Sequence, residues 1–453
     1  MSWFSRTAGR LKDDRARPDF VPILGVLFCL LLPLLPATAV IPGPLRGQGS
    51  PARLIAFTMV CAVIWHFARH RRRGPLHSPN PGIILLLLFL GLQLLTFFLG
   101  AYSVGVEDVE ANKTRTAIAT IAYAFVAIYV ASTAKFARQQ RWLIGSLVVS
   151  LTWAMAVGIL QNSVNVDLRD FFVPPGFPNS VPPTDIVARG SSVRAVGTSL
   201  HAIEFVILAA AVIPLALHLA RFAGTSRRRK WAAFATAIGC IALPLAVSRT
   251  GVLALIAAVV IYSLGQSLRF LTNLAAVGIA GLIAYTVLYP GPLSSLTLSL
   301  LGMSGDASIS TRTDDYEQVA KMFTENPWFG IGLGGNPSPI YPILDNQWLQ
   351  ASVQGGLVGV LALGLLVFTG FYGTARAVKH SENRRSRDQA YALGATFAAI
   401  AISTMTSDLF TFQQATGVMF IVFGLLWSDE TVLPVAVKRD TSTDVTTKRK
   451  SVD

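Results

Sequence analysis

Apolar residues in this chain come in long blocks separated by short polar or basic breaks. Twelve blocks reach or approach the roughly 20 residues that cross a bilayer as a helix. They run at about 20–40, 52–68, 82–100, 115–132, 143–160, 201–220, 231–247, 251–265, 271–289, 348–373, 390–409 and 415–427. The pattern predicts an all-α polytopic integral membrane protein with about 12 transmembrane helices. These form a single membrane domain over 20–427. Between the ninth and tenth spans the pattern stops over 290–347, which predicts a large extracytoplasmic loop.

Composition strengthens this picture. The 453 residues are 52% hydrophobic and 14% charged, too little charge to cover a soluble protein of this length. The formal net charge is +14, but Lys and Arg concentrate in alternate breaks. RHRRR at 69–73, RRRK at 227–230 and RRSR at 384–387 fall on one side if the spans alternate, whereas GVEDVE at 105–110 falls on the other. The positive-inside rule then places both termini in the cytoplasm, and the basic balance reports topology rather than nucleic-acid binding. The basic segment 1–19 precedes a block long enough to span, which predicts a retained anchor rather than a cleaved leader. The Thr/Lys-rich tail 428–453 is expected to be disordered. Cys29, Cys61 and Cys240 all lie in apolar blocks without metal-ligand spacing and are expected to be buried small hydrophobes.

Two outer segments, 161–200 and 290–347, are long enough to expect function of them. The first contains VPPGFPNSVPP, which breaks helix repeatedly. In the second, Tyr316, Val319 and Phe323 fall on one face of a short amphipathic helix at 313–323. Thr313 or Asp314 would cap its start, and Asn326-Pro327 would end it. GIGLGG at 330–335 lacks a preceding strand and lies outside the cell, so it is no dinucleotide loop.

The chemistry-bearing candidates sit at the outer edge. Arg194, Arg249 and Arg312 oppose the positive-inside bias there, and a guanidinium binds phosphate with two parallel hydrogen bonds. Arg46, Arg53 and Arg115 read as interfacial anchors. Asp345, at the entry to the tenth span, suits either a helix N-cap or a general base. Glu204 and Asp408 lie in or at the ends of apolar spans, and Glu204 is the second candidate base. Asp314-Asp315 reads as a partner of the helix dipole, with no metal site and no cofactor expected. His201 is the one histidine on the outer side, which gives a hydrolase triad no support.

These elements occur in a recognisable order. Arg312, Asn326-Pro327, Gly330-x-Gly332, Asp345-Asn346 and Gly355-Gly356 follow one another, with SRTG at 248–251 and RAVGTSLH at 194–201 before them. The order, over about 190–427, resembles the O-antigen ligase and O-antigen polymerase superfamily of bacterial membrane glycosyltransferases. The resemblance implies an inverting, metal-independent transfer at the outer face of the cytoplasmic (inner) membrane. The donor would be a polyprenyl (undecaprenyl) pyrophosphate-linked glycan. The acceptor would be a hydroxyl on a second lipid-linked glycan or on another molecule, as in exopolysaccharide or O-antigen polymerisation or ligation. Arg194, Arg249 and Arg312 would hold the pyrophosphate, Pro327, Gly330, Gly332 and Asn346 would shape the loop, and Asp345 would act as base. Ligases of the family usually carry His where this chain has Asp345. The alternatives are a secondary transporter, a lipid-linked glycan flippase, or a non-catalytic scaffold of an envelope assembly.

Overall fold

The computed structural model describes residues 21–42, 49–70, 80–101, 106–179, 188–189, 192–288, 290–301, 307–337, 340–341 and 344–428. The expected basic N-terminus and polar tail lie outside them. Among the described residues the regular structure is helical apart from a two-stranded antiparallel ribbon, β1 (Ala188–Arg189) with β2 (Ser192–Val193). Its helices are α1 (Ile23–Leu34), α2 (Pro51–His70), α3 (Pro81–Leu99), α4 (Glu107–Thr133), α5 (Ala137–Val164), α6 (Ala202–Phe222) and α7 (Ser226–Leu245). Then follow α8 (Arg249–Ser263), α9 (Leu268–Leu288), α10 (Pro290–Leu301), α11 (Ala307–Glu325), α12 (Gln347–Lys379), α13 (Arg384–Ser403) and α14 (Gln413–Leu426).

Each predicted apolar block contains a helix. Among the described residues, α2, α3, α4, α5, α6, α9 and α12 are long and apolar enough to cross a membrane, and α1, α8 and α14 are shorter apolar helices. The chain is therefore a multi-pass membrane protein. Local chemistry sets many boundaries. Asn80 caps α3 with Pro81 at its first turn. Glu107, Asp108 and Glu110 place negative charge at the start of α4, where the helix dipole favours it. α1 is shorter than its block because Leu35, preceding Pro36, is extended.

α6 is the centre of the bundle: 83% of its most apolar window is buried. It packs against α5, α7, α8, α13 and α14. Small residues let these helices approach, and the Thr396 hydroxyl donates to Ala211 O across α13 and α6 at 3.0 Å. At the opposite extreme, no residue of α9 is buried. Trp65, Phe98, Leu253, Val277 and Phe368 are exposed on the outer faces of their helices, as a lipid-facing belt requires. Cys61 and Cys240 also face outward, and only Cys29 is buried as expected, because helix phase rather than residue type decides which side meets lipid.

Near the predicted cytoplasmic ends, α6, α8 and α13 are joined by a closed polar cluster. His218 Nδ1 lies 2.7 Å from Asp388 Oδ2, and Arg221 pairs with Asp388 Oδ1. The Tyr262 hydroxyl and the Gln266 amide donate to the same carboxylate at 3.1 and 2.9 Å. Arg221 also lies 4.1 Å from the centre of the Phe270 ring.

Three expectations are corrected. The helix in the large loop begins at Ala307 rather than 313, so Arg312, Thr313 and Asp314 lie within α11 and neither of the last two is its cap. No Pro or Gly lies between Ala307 and Thr313 to stop the helix extending back. It ends at Glu325, ahead of Asn326-Pro327. The thirteenth helix ends at Ser403, which leaves Asp408 in the connection to α14 rather than in a span. The tenth span is interrupted: Gly356 has φ 56° and ψ −147° inside α12, a conformation suited to glycine. The segment 161–200 carries a 3-10 turn at Arg169–Phe172 and the β1–β2 ribbon.

Candidate functional site

The glycine-rich loop after α11 fills a gap between helices. Gly332 has φ 92°, and a Cβ there would come within 3.0 Å of the buried Lys113 ammonium nitrogen. The loop is anchored through its backbone: Ala101 N donates to Gly330 O at 3.0 Å and Ile331 N to Val353 O at 3.0 Å. At the interruption of α12, Leu357 N donates to Pro327 O at 2.8 Å and Val358 N to Trp328 O at 3.2 Å. The break thus frees two donors that the loop's carbonyls satisfy, which is what lets an interrupted helix persist in an apolar surround. Pro327, Gly330 and Gly332 are therefore placed in the loop's packing against α3, α4 and α12.

Asn346, not Asp345, caps α12. Its Oδ1 accepts from Trp348 N at 2.8 Å and Leu349 N at 3.4 Å. The cap expected of Asp345 is corrected, because the residue immediately before the first helical one has the reach to these amides. Asp345 is left exposed just outside the helix. Gln347 N donates to Thr404 O and Ser407 O, and Trp348 Nε1 donates to Thr404 Oγ1 at 3.0 Å. These bonds fasten the start of α12 to the α13–α14 connection and bring Asp345 within electrostatic range of Asp408. Burial, with the Asp345 charge added, pushes the Asp408 carboxyl up to about 6, even though Thr411 donates to it at 2.5 Å.

On the other side of this junction lies the 194–201 segment. Gln161 bonds both Gly197 N (2.7 Å) and Gly197 O (3.0 Å), and the Thr198 hydroxyl donates to Pro33 O. Arg169, paired with Asp167 at 2.6 Å, donates to the carbonyls of Ser199 and Leu200. Arg194 Nε reaches Ala246 O at 2.9 Å, beside the turn that opens α8 with Arg249 at its first position. In that turn Val247 has φ 45°, a strained conformation for a β-branched residue that holds Ser248 and Arg249 in place. His201 caps α6 and stacks on Phe412 with ring centres 6.2 Å apart. One edge of its ring reaches the surface, yet burial and the Arg194 cation lower its pKa while the Asp345 charge raises it. Arg194, His201, Asp345 and Asp408 are thus electrostatic neighbours.

Glu204 has a different placement from that of a base open to substrate. It is fully buried, and its oxygens accept from Leu200 N (2.8 Å), Gln414 N (2.6 Å) and Ala415 N (3.1 Å). These bonds satisfy the first amides of α14 and close the turn before α6, which is the geometry of a tertiary helix cap. Arg312 lies in α11, and its side chain is outside the described residues.

A cavity of about 320 Å³ opens beside Asp408, between α2, α3, α4, α12 and α14. Arg53 and Arg115 line it, so both are more than the interfacial anchors the sequence predicted. Arg53 reaches the Tyr123 hydroxyl at its wall. Two polar stripes face the cavity at helical spacing: Asn112, Thr116, Thr120 and Tyr123 on α4, and Gln347, Gln350 and Gln354 on α12. Both stripes were present in the sequence as polar positions recurring every three or four residues in apolar helices. What the sequence could not give was that α4 and α12 face each other.

Residues 232–364 match the O-antigen ligase family. Arg249, Arg312, Pro327, Gly330, Gly332, Asp345 and Asn346 fall within the match, and Arg194, Glu204 and Asp408 outside it. No curated protein matches the chain. The matched segment carries α8, the break in α12 and the loop between them, and through it the chain is similar to the O-antigen ligase family.

Proposed function

We propose that the protein transfers a glycan from a polyprenyl-pyrophosphate carrier to an acceptor hydroxyl at the outer face of the bacterial cytoplasmic membrane. The product would be a polymerised exopolysaccharide or O-antigen repeat, or a ligated chain. One observation carries this reading. Arg194 and Asp345 lie within electrostatic range of His201, and Asp345 within range of Asp408 at the cavity wall. In this reading both termini are cytoplasmic, about twelve spans cross the bilayer, and the segments 161–200 and 290–347 lie outside.

The acceptor oxygen attacks the anomeric carbon of the donor sugar and inverts it. The bond from that carbon to the phosphate oxygen breaks, and the lipid pyrophosphate leaves. Arg249, Arg194 and Arg312 hold the charge that develops on the leaving group, where fixed cations in a partly dry site act most strongly. The acceptor proton passes to Asp345, with Asp408 as the neighbouring carboxylate. A carboxyl near 6 is a better proton acceptor at neutral pH than an ordinary one. Asp408 therefore takes the place that the sequence gave to Glu204 as second candidate base. The sequence of steps uses no metal or cofactor.

The test is reconstitution of the purified protein in vesicles with a polyprenyl-pyrophosphate oligosaccharide and an acceptor. Wild-type protein is expected to yield an extended glycan and Arg249→Ala none, with both inserted equally. Absence of product with wild-type protein across lipid-linked donors would overturn the reading. The interrupted α12 favours one second reading, a secondary transporter, since broken helices line transport sites. Solute counterflow in the same vesicles without glycan extension would support it.

A further inference from the structure

We infer that the cavity between α4 and α12 is a saccharide subsite holding a neutral, hydroxyl-rich sugar ring beside the reaction centre, read by Gln350 and Gln354. Its place in a transfer reaction rests on the function proposed above, whereas the binding itself does not.

The first argument is the state of the amides. Asn336, itself buried, donates from Nδ2 to Gln350 Oε1 at 2.7 Å and accepts at Oδ1 from Gln354 Nε2 at 2.6 Å. These two bonds fix the orientation of both glutamines. Gln350 is left with its NH₂ group for the cavity, and Gln354 with its carbonyl oxygen and one N–H. The two side chains lie four residues apart, so they stand side by side on one helix face. A donor next to an acceptor in fixed array matches adjacent ring hydroxyls, each of which gives and takes one hydrogen bond.

The second argument is the remainder of the lining. Asn112 donates to Gly334 O at 2.7 Å, which leaves its carbonyl oxygen available on the same wall. The rings of Tyr123 and Phe410 add apolar surface to the wall. Arg53, Arg115 and Asp408 bring both signs of charge, so the cavity does not select an anion by field alone. So polar a wall would strand a prenyl tail against unpaired amides. The volume of about 320 Å³ is at the small end of ligand sites, the scale of a sugar unit rather than of a chain.

The experiment uses the full-length protein in lipid nanodiscs and saturation-transfer NMR. The probes are neutral di- and trisaccharides of glucose, galactose and N-acetylglucosamine, with a glucuronate disaccharide and inorganic pyrophosphate as charged controls. At least one neutral saccharide is expected to bind at millimolar concentration. Gln350→Leu and Gln354→Leu, of similar volume, should each weaken it about tenfold, the worth of a hydrogen bond lost at a desolvated site. Asn336→Ala should weaken it less, because it frees the amides to rotate without removing them. Only variants that retain the wild-type thermal unfolding profile are compared, and Gln354→Asn replaces a Leu variant that does not. Binding of the charged controls alone, or unchanged binding in both glutamine variants, would overturn the subsite. In the transfer assay the same variants should raise KM with kcat nearly unchanged. A rise for acceptor assigns the ring to that substrate, a rise for donor assigns it to the other, and no rise in either overturns its place beside the reaction centre. If wild-type protein binds saccharide through these glutamines but transfers no glycan, the transfer reading fails and the subsite stands.

Discussion

Two polar clusters of this membrane protein differ in how completely their hydrogen-bonding capacity is used. At the predicted inner end, the Asp388 carboxylate takes His218, Arg221, Tyr262 and Gln266, all of them close around it. Its partners come from α6, α8 and the connection that follows α8. At the predicted outer end, Arg53, Arg115, Asp408 and the α12 glutamines border an open cavity, and Asp345 is exposed beside it. A polar cluster in an apolar surround costs stability unless its groups are paired. The inner cluster meets that cost with its own bonds and so works as a clamp. In the outer one Gln350 and Gln354 keep capacity unspent, which a bound substrate can use. The contrast separates scaffold from site better than the mere presence of charge does.

Substitutions at the two ends should therefore fail in different ways. The largest effect is expected for Arg249→Ala, which should bring glycan transfer below detection while the protein extracts and elutes as wild type does. Arg249→Lys should retain part of the activity, because an ammonium replaces the charge but not the two parallel bonds. Next, Asp345→Asn should lower turnover by about 10²–10⁴-fold, the usual worth of a general base, without loss of folded protein. Full activity in that variant would move the base to Asp408.

At the inner end the loss should be of fold. Asp388→Ala leaves the Arg221 cation and three polar groups without their common acceptor, and should destabilise by about 3–5 kcal/mol, read by thermal unfolding in detergent. An Asp388→Ala protein that unfolds normally but transfers no glycan would erase the distinction drawn between the clusters. A smaller effect, about 1 kcal/mol, is expected for Asn346→Ala through loss of the α12 cap. Asp345→Ala should not carry that cost.

The smallest expected effect concerns pH. Asp408 is raised from 3.8 to about 6 in the fold, so the folded state holds its proton more tightly than the unfolded chain does. Its contribution to stability is present in full below about pH 4 and is lost as pH rises through about 6. Activity should move the other way, with transfer falling as pH drops below about 6 and the ionised carboxylate is lost. Asp408→Asn should flatten both trends, and a wild-type acid limb near pH 4 would remove Asp408 from the reaction.

Much of the architecture was legible in the sequence because lipid imposes a simple rule on it. A spanning segment must satisfy its own backbone and present apolar side chains, so block length and charge asymmetry locate helices directly. The loop motifs at Pro327, Gly330 and Gly332 were legible for a related reason, since Pro and Gly restrict backbone in ways few residues can imitate. Legibility failed where a role depended on what lay opposite. Asp345 and Asn346 are both good capping residues, and only the register of the first turn of α12 assigned the cap to Asn346. Glu204 looked like an isolated ionisable group in a span until the amides of Gln414 and Ala415 were seen on its oxygens. Arg53 and Arg115 looked like anchors because they stand near helix ends, where snorkelling is common.

The sequence by itself determined that this is a helical multi-pass membrane protein, where its apolar blocks lie, and which short motifs resemble those of a family. Periodicity and composition are local properties, and the bilayer turns them into helices without reference to the rest of the chain. Only the tertiary structure decided which polar residues share a space. The cavity wall draws on α2, α3, α4, α12 and α14, whose lining residues lie as far apart in the chain as Arg53 and Phe420. Helix packing fixes those neighbours through small-residue contacts and a few cross-helix hydrogen bonds, and no period along the chain encodes that pairing.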